Sequence, residues 1–129
     1  MGLADFLSPE GAAAAAPAVN VIPAHSIPVI KSPDGKCELK ILGPVDLAAR
    51  FEWYELSIQP GGMLASEPHE MGAKEHLSVL SGAVNVQSGD SEKKVRHGES
   101  ARYPVDVQHA ISNPGKSVAT ALLVVEYAQ

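Results

Sequence analysis

The chain has 129 residues and a mass of 13.5 kDa, enough for one barrel-sized core and too few for two. Apolar residues make up 45%, the formal net charge is −5 and the pI about 5.4, so the composition fits a globular domain and offers no basic footprint for direct contact with nucleic acid. A single cysteine, Cys37, closes no internal disulfide, which points to a reducing, cytoplasmic setting.

Residues 1–18 hold one short apolar turn (Leu3, Phe6, Leu7) followed by a run of alanines from Ala12 to Ala16, and read as a linker or helical stub. Asp5 and Glu10 precede the first basic residue, Lys31, and the alanine run is too short and too weakly apolar for a secretory core. Phe6 stands where a myristoylation start needs Ser or Thr, so no membrane attachment is expected. The domain proper is placed at 19–129. There, runs rich in β-formers are punctuated by Pro and Gly: Ile27 to Lys31, Cys37 to Leu42, Phe51 to Gln59, Glu75 to Gln87, Lys93 to Arg96, Glu99 to Tyr103, Gln108 to Ser112 and Ala119 to Tyr127. Pro33-Asp34-Gly35-Lys36 and Ser88-Gly89-Asp90-Ser91 carry hairpin-turn chemistry. No long helical period appears, so the pattern predicts an all-β sandwich or barrel.

Strand alternation assigns faces. In Glu75 to Leu80 it puts Glu75, Leu77 and Val79 on one side and His76, Ser78 and Leu80 on the other. A carboxylate in register with Leu and Val needs a cation, a proton or a strong partner once buried. His109, Ile111 and Asn113 likewise share a face, leaving two readings open: a hydrogen-bonded polar cluster or a metal site. Cys37 sits in a strand-like run and reads as a small packed hydrophobe. His25 and His97 fall at loop-like positions and are expected at the surface.

The spacing Gly62-x5-Pro68-His69-Glu70-x4-Glu75-x6-Gly82, followed by Gly98-x5-Pro104-x4-His109-x3-Asn113, resembles the two motifs of the cupin family, and the likeness extends over residues 50–127. It implies an all-β fold, the double-stranded β-helix or cupin jelly-roll barrel, with His and Glu side chains converging on one metal. The commonest first motif supplies His-x-His, but those positions hold Pro68 and Glu70 here, with His69 between them. The series His69-x5-Glu75-x6-Gly82 plus a distal His109 instead matches a shifted arrangement found in some cupin dioxygenases. It implies His69, Glu75 and His109 as ligands of a divalent metal, a face of two imidazoles and one carboxylate with open positions that accepts Zn, Fe, Ni, Mn or Co. Glu70 is a candidate further ligand, and His76 a rival imidazole that alternation turns away from Glu75.

Residues 68–82 and 104–113, together with Leu122 to Tyr127, resemble the C-terminal sensor domain of bacterial XRE-type helix-turn-helix regulators. That resemblance implies a cupin domain that binds a small polar or anionic metabolite, without a DNA-binding part in this sequence. The alternative is a small metal-dependent enzyme of dioxygenase or isomerase type, and a third reading is a scaffold whose barrel binds nothing. Candidate ligand-binding residues around the centre are Trp53, Met63, Arg102, Tyr103 and Gln108, with Tyr54 and Glu126 beside them; no catalytic residue is assigned. Apolar side chains on both faces of Phe51 to Ile58, and the β-rich end from Val118 to Tyr127, lead us to expect a homodimer.

Overall fold

Period-2 alternation with Gly or Pro at most turns generates ten strands in the structure, a computed structural model that describes residues 18–128. They are β1 (Val29–Lys31), β2 (Cys37–Ile41), β3 (Phe51–Ile58), β4 (Met63–Ser66), β5 (Lys74–Ser81), β6 (Ala83–Ser88), β7 (Ser91–Arg96), β8 (Ser100–Pro104), β9 (His109–Ser112) and β10 (Ala119–Glu126). The linker expected at 1–18 lies outside the described residues apart from Ala18.

All pairings are antiparallel. One sheet has the order β1-β2-β3-β10-β5-β8 and the other β4-β9-β6-β7, so β10 inserts between β3 and β5 while β9 inserts between β4 and β6. These long-range insertions define the jelly roll, confirming the expected fold class. The inner faces meet in a core that includes Leu56, Ile58, Leu77, Val84, Val105, Ile111 and Leu123, all at most 3% exposed. Each such large side chain contributes roughly 1.5–3 kcal/mol by leaving water.

Two details depart from the sequence reading. The run Glu75 to Gln87 is two strands, because Gly82 at φ +74 turns the chain where a Cβ would stand 3.0 Å from the Ala119 Cα. Strand β4 was not anticipated, since Met63-Leu64-Ala65-Ser66 contains no β-branched residue; its pairing with β9 makes it a strand. Cys37 is 3% exposed, and burial pushes its thiol up, consistent with a packing role. Asn113, 2% exposed, donates to the carbonyls of Ile58 and Ser117 and accepts from the Gly115 N–H, so it ties down the turn before β10.

Candidate metal centre

Glu75 lies near the start of β5 in the larger sheet, and His109 begins β9 in the smaller one. Alternation turns both inward, where they are 4% and 5% exposed. His69 reaches the same place from the connection between β4 and β5. Its backbone N–H bonds the Val105 carbonyl at 2.8 Å, and the following turn is closed by Ala73 N–H on the Glu70 carbonyl at 3.1 Å. The three residues each offer a ligand atom, and these atoms lie within 4.8 Å of one another. The His69 and His109 rings stand 5.2 Å apart between centroids.

Hydrogen bonds set the chemistry of this cluster. His109 Nδ1 lies 2.8 Å from the Val107 carbonyl oxygen, which can only accept, so this nitrogen carries a proton and donates. With Nδ1 donating and no second ring proton, the lone pair of Nε2 faces Glu75 Oε2 at 3.3 Å, and Nε2 is buried without a hydrogen-bond partner. Two acceptors facing each other in a buried site require a positive charge between or beside them. A proton on the ring would meet that need with an ion pair; a divalent cation meets it while also using His69. The other Glu75 oxygen accepts from the Tyr103 hydroxyl at 2.7 Å. Burial pushes the Glu75 carboxyl up, against the opposing pull of that hydroxyl and of the imidazoles of His109 and His69. Ligand nitrogen anchored to a backbone carbonyl and ligand carboxylate anchored to a phenol are the outer contacts that metal ligands ordinarily have, so the donor set fits a metal.

Most of the other candidates lie elsewhere. Glu70 is exposed in its turn and is not among the clustered ligand atoms. His76 faces outward, with Nε2 2.9 Å from Glu126 Oε1, so Glu126 is outside as well. Arg102 pairs with His76 across β5 and β8 and is exposed on the same outer face, away from the clustered ligand atoms. Trp53 also points outward, half-buried, with its ring against Gly43. Met63 and Gln108 line an open concavity of about 490 Å³ together with Gln87, Asp90 and the clustered His109. Of the expected pocket lining, Tyr103 hydrogen-bonds a clustered ligand, Glu75. His25 and His97 are exposed, as expected.

The sequence reading missed Glu52 and undervalued Tyr54 and Tyr127. Glu52, Val125, Glu75 and Tyr103 occupy one row across β3, β10, β5 and β8. Glu52 Oε1 accepts from Tyr54 at 3.0 Å and Tyr127 at 2.9 Å, and the Tyr127 ring meets His69 edge-on at 5.9 Å. Burial raises all three inner phenols, Tyr127 to about 12 and Tyr54 and Tyr103 further still. Alternation in Glu52-Tyr54-Leu56-Ile58 was the available signal, obscured because the opposite face of β3 also carries Phe51 and Trp53.

The Cupin domain family model matches residues 54–126, and the chain belongs to that family. More particularly, it is similar to the Cupin_2 domain of an XRE family transcriptional regulator from Enterobacter cloacae, with a TM-score of 0.68 and 24% identity over 73% of this chain and 99% of that one. The HTH-type transcriptional regulator SutR of Escherichia coli K12 is 28% identical over 86 residues, which are 67% of this chain and 48% of SutR. The xanthan biosynthesis protein XanB of Xanthomonas campestris pv. campestris strain B100 is 33% identical over 72 residues, 56% of this chain and 15% of XanB. The chain thus spans less than half of either curated relative. Among the described residues no helix is long and apolar enough to cross a membrane.

Proposed function

We propose that the chain is an effector-binding cupin domain of a transcriptional regulator, with a divalent metal held by His69, Glu75 and His109 and a small polar metabolite taken at the positions they leave open. The observation that carries the metal reading is the buried, unpartnered Nε2 of His109 beside the Glu75 carboxylate. The likeness to regulator domains supports the sensing role. When bound, the metal supplies positive charge and open coordination positions for a ligand oxygen or nitrogen. Tyr103 holds the Glu75 carboxylate in place, and the Val107 carbonyl fixes the His109 tautomer and ring plane. Because Arg102 faces outward, an anionic ligand would be held through the metal and not by a guanidinium fork. Readout would pass through a homodimer, the DNA contact belonging to another part of the regulator.

Binding is favoured over turnover by the state of the neighbouring phenol. Proton transfer works best when the group's pKa lies near the operating pH. Tyr103 has its proton committed to Glu75 and burial raises it further, so it is a poor base.

Elemental analysis of the native protein and of His109→Ala tests the metal: wild type should carry one divalent ion per chain and the variant much less, and equal content in both would remove the assignment. Melting of the metal-loaded protein against amino acids and organic acids tests the ligand. A ligand specific to the folded state stabilises by about 2.7 kcal/mol at a hundredfold excess over Kd. Repeated metal-dependent consumption of a screened compound would instead establish the dioxygenase or isomerase reading.

A further inference from the structure

The three clustered side chains are held unequally. His109 is anchored through Nδ1 to the Val107 carbonyl and Glu75 through Oε1 to the Tyr103 hydroxyl, whereas no hydrogen bond holds the ring of His69 among the described residues. His69 is also the one of the three that lies outside a strand, partly buried in the connection between β4 and β5. Its backbone is fixed by the Val105 carbonyl at 2.8 Å, but a fixed backbone still lets an imidazole turn about its two side-chain bonds. The ring is restrained by its neighbours: His109 at 5.2 Å and, perpendicular to it at 89°, Tyr127 at 5.9 Å.

Tyr127 is itself braced at two ends. Its backbone N–H donates to the Arg50 carbonyl at 2.9 Å, and its hydroxyl donates to Glu52 Oε1 at 2.9 Å, the oxygen that also accepts from Tyr54. Glu52 and Tyr54 border a mostly apolar cavity of about 160 Å³ beside Trp53, so hydrogen bonds rather than close packing on every side keep this carboxylate in place. The next residue, Ala128, closes against the turn that follows His69: a Cβ on Gly72 would stand 2.9 Å from the Ala128 Cβ. The segment just after β10 therefore seats a braced aromatic ring against the one clustered ligand that has no hydrogen bond of its own.

We propose that Tyr127, clamped by Glu52, is a positioning residue for the metal ligand His69. The inference rests on the metal reading above and adds to it the part of the chain that sets the third ligand. An edge-to-face ring pair is directional, so it favours one orientation of the imidazole. A ligand ordered in advance loses less freedom when it is engaged, which is how an outer contact raises affinity. Tyr127 contributes no donor atom and acts through His69 alone.

Binding of Co²⁺ to the full chain, followed by its visible d–d absorption and by competition with a chelator of known affinity, tests the proposal. Tyr127→Leu should weaken Co²⁺ binding roughly tenfold and move the d–d band toward that of His69→Ala. Tyr127→Phe keeps the ring and loses only the hydroxyl clamp, so it should weaken binding by only about threefold. In a His69→Ala background neither change should alter the affinity by more than about twofold, because the effect passes through the imidazole. A merely structural role would lower the affinity equally in both backgrounds. Tyr127→Phe carries the same comparison if Tyr127→Leu does not fold. Unaltered affinity and spectrum in the folded variants, or an equal loss with and without His69, would overturn the proposal and leave the metal reading standing. A wild type that binds no Co²⁺ would remove both.

Discussion

Tyr103→Phe isolates the contact that ties the clustered carboxylate to the barrel wall. The substitution deletes one oxygen and keeps the ring, which is 8% exposed, so packing is conserved and the 2.7 Å hydrogen bond to Glu75 is lost. A hydrogen bond to a charged group contributes about 1.5–3 kcal/mol, and the burial of both partners leaves little room for water to replace it. At roughly 4 °C per kcal/mol for a domain of this size, the metal-stripped variant should melt some ~6–12 °C lower. Urea unfolding should show a lower midpoint with the slope unchanged, the signature of altered stability without altered exposure. Metal affinity should fall about 10–100-fold, the usual loss when an outer contact to a ligating side chain is removed. A variant within ~0.5 kcal/mol of wild type, with metal affinity unaltered, would refute the idea that this phenol anchors Glu75.

Each of the chain's three tyrosines donates its hydroxyl to a glutamate, and all have raised pKa values, so none should ionise in the native protein at the ordinary value of about 10. The unfolded chain then releases phenol protons first: the phenols' contribution to stability is unchanged below about pH 10 and declines above it, and a native phenolate absorbance signal titrating near 10 would contradict the geometry. Gly82→Ala places a Cβ at φ +74 against the Ala119 Cα at 3.0 Å and the Val118 carbonyl at 3.1 Å, and should cost about 1–3 kcal/mol in denaturant unfolding; a loss under ~0.5 kcal/mol would mean the turn adapts freely. A second copy is expected to cover the outer face that exposes Phe51, Leu80 and Leu122 at 39%, 49% and 36%, so light scattering should report twice 13.5 kDa, and a monomer mass at tens of micromolar removes the expectation.

Local rules carried the sequence reading a long way because they act over a few residues. Alternation separated Glu75 from His76, Gly at positive φ marked the turns at Gly35 and Gly89, and the resemblance to the cupin motifs implied His69, Glu75 and His109, whose ligand atoms the structure brings within 4.8 Å. The same rules left Trp53 ambiguous, since apolar residues occur on both faces of its strand and period 2 then no longer says which face is inside. Nor could they reveal that β10 slots between β3 and β5, which puts Glu52 in line with Glu75 and sets three phenols against two carboxylates. Strand type and turn positions were therefore decided by the sequence read locally, and the clustered residues' identities were implied by the family resemblance. The partners of Glu52 and the cavity beside Trp53 were decided only by tertiary pairing, because they depend on contacts between segments far apart in the chain that no short-range pattern encodes.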